Sequence, residues 1–221
     1  MSNKYKSLLE HKKSTKDWHY NPSLNSIDSH YVGRFVGNFD GLGKVDFGKV
    51  QSCVDLYEGD ENNTNSISWG KKDHIRHGYT KDNTQYYQTF DNLPSFCYKI
   101  AEMTGLKDYS IALFKQKPGH TNPWHFDTYY TVQKKYGVKK DELHKIKRYL
   151  VFLEDWDWGH FLQVGNNVLS NWIKGDTYTW GYGMYHLSSN AGIKDKLTMQ
   201  ITGLVTDDSL HLSNEYRFNL K

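Results

Sequence analysis

Apolar residues change their spacing partway along the chain. Over residues 91–105 they recur every three to four positions, behind the capping residue Asp91 and an early Pro94 and ahead of Gly105 as a stop, which predicts a helix. A shorter helix is expected from about Lys4 to Lys13, before a polar stretch through Asn21 and Pro22. Glycines between 33 and 48 punctuate apolar pairs such as Phe35-Val36, which predicts short strands and turns. Residues 58–66 are polar and read as a loop. Downstream the period becomes two, at 110–116, 148–154, 160–164, 176–180 and 196–205, with Gly, Asn, Asp and Pro between the runs. Many short strands after helices predict a mainly β chain with flanking helices, an α+β sandwich or jelly roll.

Composition narrows this picture. A chain of 221 residues suits one domain, and aromatics at 15% against 24% charged residues imply a core built from rings, which excludes a disordered chain. The longest apolar runs, such as Tyr149 to Leu153, fall far below the roughly 20 residues that span a bilayer. The first residues lack an apolar signal core, so no membrane partner and a cytoplasmic location are expected. Cys53 and Cys97 make neither a disulfide framework nor a CxxC site. A net charge of +3 is too mild to argue for nucleic acid on its own.

Candidate chemistry begins after the strand ending at Gln116, where His125-Phe126-Asp127 follows Pro118-Gly119. In extended backbone the imidazole and the carboxylate share a face. Those two groups and one distant histidine make a 2-His-1-carboxylate set, which leaves positions open on Fe(II). His186 is the third ligand expected, beyond the turn-rich 180–185, with His160 as competitor. The pair His74 and His77 has no cysteine or acid pattern beside it and reads as structural or surface.

Alternation over 196–203 points Lys196, Thr198 and Gln200 one way and Leu197, Met199 and Ile201 the other. An inward lysine requires an anionic partner, because burying an ammonium unpaired costs several kcal/mol.

These residues resemble the Fe(II)- and 2-oxoglutarate-dependent oxygenases, whose core is a double-stranded β-helix of jelly-roll or cupin-like type. The likeness spans roughly 108–206 and rests on Pro118-Gly119 ahead of His125-x-Asp127, the strand Tyr149 to Leu153, Gly159-His160, Trp172-x-x-Gly175-Asp176, His186 with Asn190, and Lys196. It implies one oxygenase domain over 1–221, with supporting helices and strands in 1–107, the jelly-roll core in 108–206 and an extension in 207–221. It implies iron on His125, Asp127 and His186, and 2-oxoglutarate on Lys196 assisted by Thr198, with Gln116 and Arg148 as further carboxylate-binding candidates. Lys194 is the substitute for Lys196 if the register slips. Oxygen is then the remaining cosubstrate, and succinate and CO2 the co-products.

The layout around Arg148-Tyr149 and Gly159-His160 is similar to aspartyl/asparaginyl and prolyl peptide hydroxylases of bacteria and tailed phages. A peptide is therefore the expected substrate, with a small molecule next. Tyr129, Tyr130, Trp124 and Trp180 are the aromatic candidates to meet it. A nucleobase substrate is the alternative motivated by the basic segment 133–147, which reads either as a solvated excursion or as a lid. Glu154, Asp155 and Asp157 raise a glycosidase reading. A non-catalytic jelly-roll module is the alternative from another class.

Overall fold

The period of two becomes two packed sheets. The computed structural model describes residues 34–45, 51–52, 87–89, 93–125, 127, 129–165, 167–180, 184–207, 209 and 216–219. The helix expected at 4–13, the loop 58–66 and the His74/His77 pair lie outside the described residues. In chain order the elements are β1 (Arg34–Asp40), β2 (Gln51–Ser52), β3 (Tyr87–Thr89), α1 (Ser95–Met103), β4 (Lys107–Gln116), β5 (Thr121–His125), α2 (Tyr130–Tyr136), a 3-10 segment (Lys140–Lys145) and β6 (Ile146–Phe152). Then follow β7 (His160–Val164), β8 (Asn167–Leu169), β9 (Asp176–Trp180), β10 (His186–Asn190), β11 (Lys196–Leu204) and β12 (Tyr216–Asn219).

The larger sheet has the order β12-β1-β9-β6-β11-β4-β3-β2, and the smaller β5-β10-β7-β8. Within the eight strands β4 to β11, the chain crosses between sheets at β4–β5, β5–β6, β6–β7, β8–β9, β9–β10 and β10–β11, and turns back within one sheet only at β7–β8. Neighbours among these eight are antiparallel throughout. That order is a jelly roll, the double-stranded β-helix, with β1, β2, β3 and β12 widening one sheet.

Both faces of the larger sheet are covered, which is why β6 and β11 bury residues of either parity. The outer face carries Tyr149, Val151, Leu153, Met199 and Ile201 against Phe96, Cys97, Ile100 and Ala101 of α1. Pro94, rather than Asp91, occupies the cap position of α1, and Gly105 follows its end at φ 66. Between the sheets, Leu150 and Phe152 meet Leu162, Val164, Leu169, Trp172, Trp180 and Met184. The segment 133–147 is partly helical, its lysines mostly solvated as the excursion reading expects, but it is anchored: Leu143 and Ile146 form a small core with Tyr129 and Val132. The Tyr136 hydroxyl donates to the carbonyl of Tyr109 at 2.8 Å, which ties this core to β4.

Candidate functional site

Register brings the histidines together. His125, the last residue of β5, stands opposite His186, the first of β10, with ring centroids 4.3 Å apart. A register shift between these partners and the next pair gives β5 one extra residue, and Pro123, which has no N–H for a ladder, is accommodated beside it on an edge strand. Asp127 lies two residues past His125 and completes the group, all three ligand atoms falling within 4.8 Å of one another. His125 Nε2 is 3.8 Å from Asp127 Oδ1, and His186 Nε2 is 3.4 Å from Asp127 Oδ2.

The protonation pattern suits a cation. His186 Nδ1 is 3.0 Å from the carbonyl of Met184, so Nδ1 carries the proton and Nε2 keeps a lone pair facing the acid. Burial, with the neighbouring His125, pushes the His186 pKa down to about 3, so the ring is neutral at pH 7. Burial alone would raise the Asp127 carboxyl, but Arg148, His186 and His125 outweigh it and hold the acid ionised, well below its usual range. Two imidazoles, that of His186 already neutral, and one carboxylate are a donor set for a divalent transition metal with open positions. The described residues therefore fit a divalent metal ion. His160, the competing third ligand, instead stacks over Trp172 at 6.3 Å and bonds the carbonyl of Lys194 at 3.1 Å.

Lys196 points between the sheets and is 2% exposed. Its Nζ donates to Ser188 Oγ at 2.6 Å and to the carbonyls of Phe161 at 2.5 Å and Ser189 at 3.3 Å. Burial pulls its pKa down to about 7, and among the described residues its Nζ bonds no carboxylate. Gln116, directly across the ladder from Lys196, accepts from the Ser188 hydroxyl at 2.6 Å and donates to the Ser188 carbonyl at 3.2 Å. Thr198 is buried on the same face, two residues on. Ser188 is two residues from His186 on β10, about 6.7 Å along the strand. A buried cation thus sits one inward step from the histidine group. Ser188 was missed in the sequence reading, although the alternation used for Lys196, counted forward from His186, finds it.

Lys194 does not share this interior. It precedes β11, its ammonium bonds Asp157 at 2.5 Å and its side chain is 72% exposed, because the strand begins only at Lys196. Arg148 meets a carboxylate, but that of Asp127: one guanidinium nitrogen is 2.5 Å from Oδ2 while Nε donates to Thr202 Oγ1 at 2.9 Å. Tyr129 is buried at φ 53 with its ring 5.1 Å from the Arg148 guanidinium carbon. Trp180 is buried beside His186, ring to ring 5.1 Å. The side chains of Trp124 and Tyr130 lie outside the described residues. Asp155 and Asp157 accept loop N–H bonds from Lys174 and Trp158, so they cap loops and do not face each other over a cleft.

Fold and site together define a jelly-roll protein with a His-Asp-His group able to take a metal ion. No family model and no curated protein matches the chain. Among solved structures it is similar to a predicted oxalate decarboxylase of Thermotoga maritima, at 15% identity over 55% of this chain and 82% of that one, TM-score 0.35. KdgF of a Halomonas species is similar at 10% identity over 56% and 82%, TM-score 0.34. A cupin domain of Bordetella pertussis is similar at 16% over 45% and 84%, TM-score 0.31. The jelly-roll assignment rests on the strand order itself. Among the described residues, no helix is long and apolar enough to cross a membrane.

Proposed function

We propose that this chain is an Fe(II)- and 2-oxoglutarate-dependent dioxygenase that hydroxylates a peptidyl residue, Pro or Asp/Asn. The observation that carries the reading is the spacing of the His125, Asp127 and His186 group from the buried Lys196 ammonium, one step of two residues along β10. That span suits a short dicarboxylate with one end at the metal and the other at the ammonium.

Iron held by His125, Asp127 and His186 would supply the oxygen chemistry, one atom of O2 entering succinate as CO2 leaves and the other becoming the substrate hydroxyl. The chain's residues do the rest. Lys196 binds the distal carboxylate, with Thr198 beside it and Gln116 fixing the rotamer of Ser188. Leu150, Phe152 and Leu162 wall the interior and keep water from the reacting end. Arg148 holds Asp127 ionised and in place.

Incubation with Fe(II), 2-oxoglutarate and Pro-, Asp- and Asn-containing peptides should give succinate and a peptide gaining one oxygen atom. Asp127→Ala should reduce both to background. Succinate formation that survives this change would overturn the assignment.

A further inference from the structure

Buried polar atoms without partners are costly, about 1–3 kcal/mol each, and folds retain them chiefly where a ligand supplies the missing bond. Among the described residues three side-chain atoms are of this kind, on His120, Asn122 and Trp180. Two of them flank the line from His186 to Lys196: Asn122 stands opposite Ser188 in register, and Trp180 stands beside His186.

Trp180 carries the stronger case because an indole N–H can only donate. Trp180 closes β9, faces Arg148 across the ladder and is 3% exposed. Among the described residues no acceptor lies within hydrogen-bond distance of the indole nitrogen. Arg148 only donates, and His186 uses Nδ1 on Met184 and turns Nε2 toward Asp127. The two Asp127 oxygens are turned to His125 on one side and to Arg148 and His186 on the other.

We propose that the Trp180 indole N–H donates a hydrogen bond to an oxygen of the 2-oxo acid bound at the His125, Asp127 and His186 centre, making Trp180 a ligand-recognition residue. The inference rests on the function proposed above. It explains why a tryptophan, rather than an equally apolar phenylalanine, ends β9: the ring packs the interior with Leu150 and Met184, and the N–H is left for the ligand.

The test is an indole 1H–15N titration of the full chain, first with Zn(II) in place of iron and then with 2-oxoglutarate. Trp180→Phe identifies the signal, and Mn(II) at the triad identifies it independently by broadening the nearest indole. The signal should stay near its starting position with Zn(II) alone, then move downfield and exchange more slowly with water when 2-oxoglutarate is added. Trp180→Phe should weaken 2-oxoglutarate by about tenfold while leaving Zn(II) affinity unchanged, the worth of one buried hydrogen bond. Binding of 2-oxoglutarate is read separately, by saturation transfer to the ligand's own protons. Ligand bound with the indole signal unmoved, or the full shift produced by Zn(II) alone, overturns this inference and leaves the proposed function standing. Absence of 2-oxoglutarate binding removes both.

Discussion

Lys196 shows most clearly how one residue trades stability for a site. Its pKa in the folded chain lies near 7 against 10.5 for an exposed lysine, so between those values the unfolded chain holds a proton the folded chain lacks. Stability attributable to this residue therefore rises with pH through that window, and the full cost is felt below pH 7. Lys196→Met should stabilise the protein at pH 7 by about 1–3 kcal/mol, with the advantage over wild type shrinking toward pH 10, as thermal melts would show. The same variant should lose 2-oxoglutarate binding. In wild type, 2-oxoglutarate should weaken by about tenfold per pH unit above 7, because binding then has to draw a proton onto the neutral Lys196 amine. Affinity that is flat from pH 7 to 9 would remove the ammonium from the binding site. The inward direction of Lys196 was legible in the sequence, because a period of two fixes facing once the strand is placed. The partner of Arg148 was not, since contact between β6 and Asp127, two residues past β5, depends on how two strands of different sheets converge.

At the level of elements, the strands with clean alternation were placed to within a few residues, while β5, β8 and β10 were not recognised as strands at all. Their sequences explain this: β5 contains Pro123 and an extra residue, β8 has three residues, and β10 reads His-Leu-Ser-Ser-Asn with little apolar signal. β10 forms a strand because β5 and β7 flank it and satisfy its backbone. β10 turns His186 and Ser188 inward in place of apolar residues, so the pattern that reveals the other strands hides it. The turns that aim Lys196 are equally specific. Gly159, at φ 88, lies so close to the β10–β11 turn that a Cβ there would be 2.3 Å from Gly192 N. Gly159→Ala should cost about 2–4 kcal/mol in denaturant unfolding and weaken 2-oxoglutarate, while a change at exposed Asp141 should do neither.

Across the whole molecule, the jelly roll divides the site between its sheets: one supplies both histidines and Ser188, the other supplies Arg148, Trp180, Gln116, Thr198 and Lys196, and the ligand would lie between them. The sandwich class was legible from many short strands, and the sheet order was not, because pairing between residues some seventy apart leaves no local trace. Whether the two sheets enclose a site for iron and a 2-oxo acid is decided by anaerobic titration of the metal-free protein with Fe(II) and 2-oxoglutarate. Wild type should show a charge-transfer absorbance from the chelated complex, His186→Ala should lose it, and Lys196→Ala should need more 2-oxoglutarate. No band in wild type at saturating Fe(II) and 2-oxoglutarate would contradict such a site.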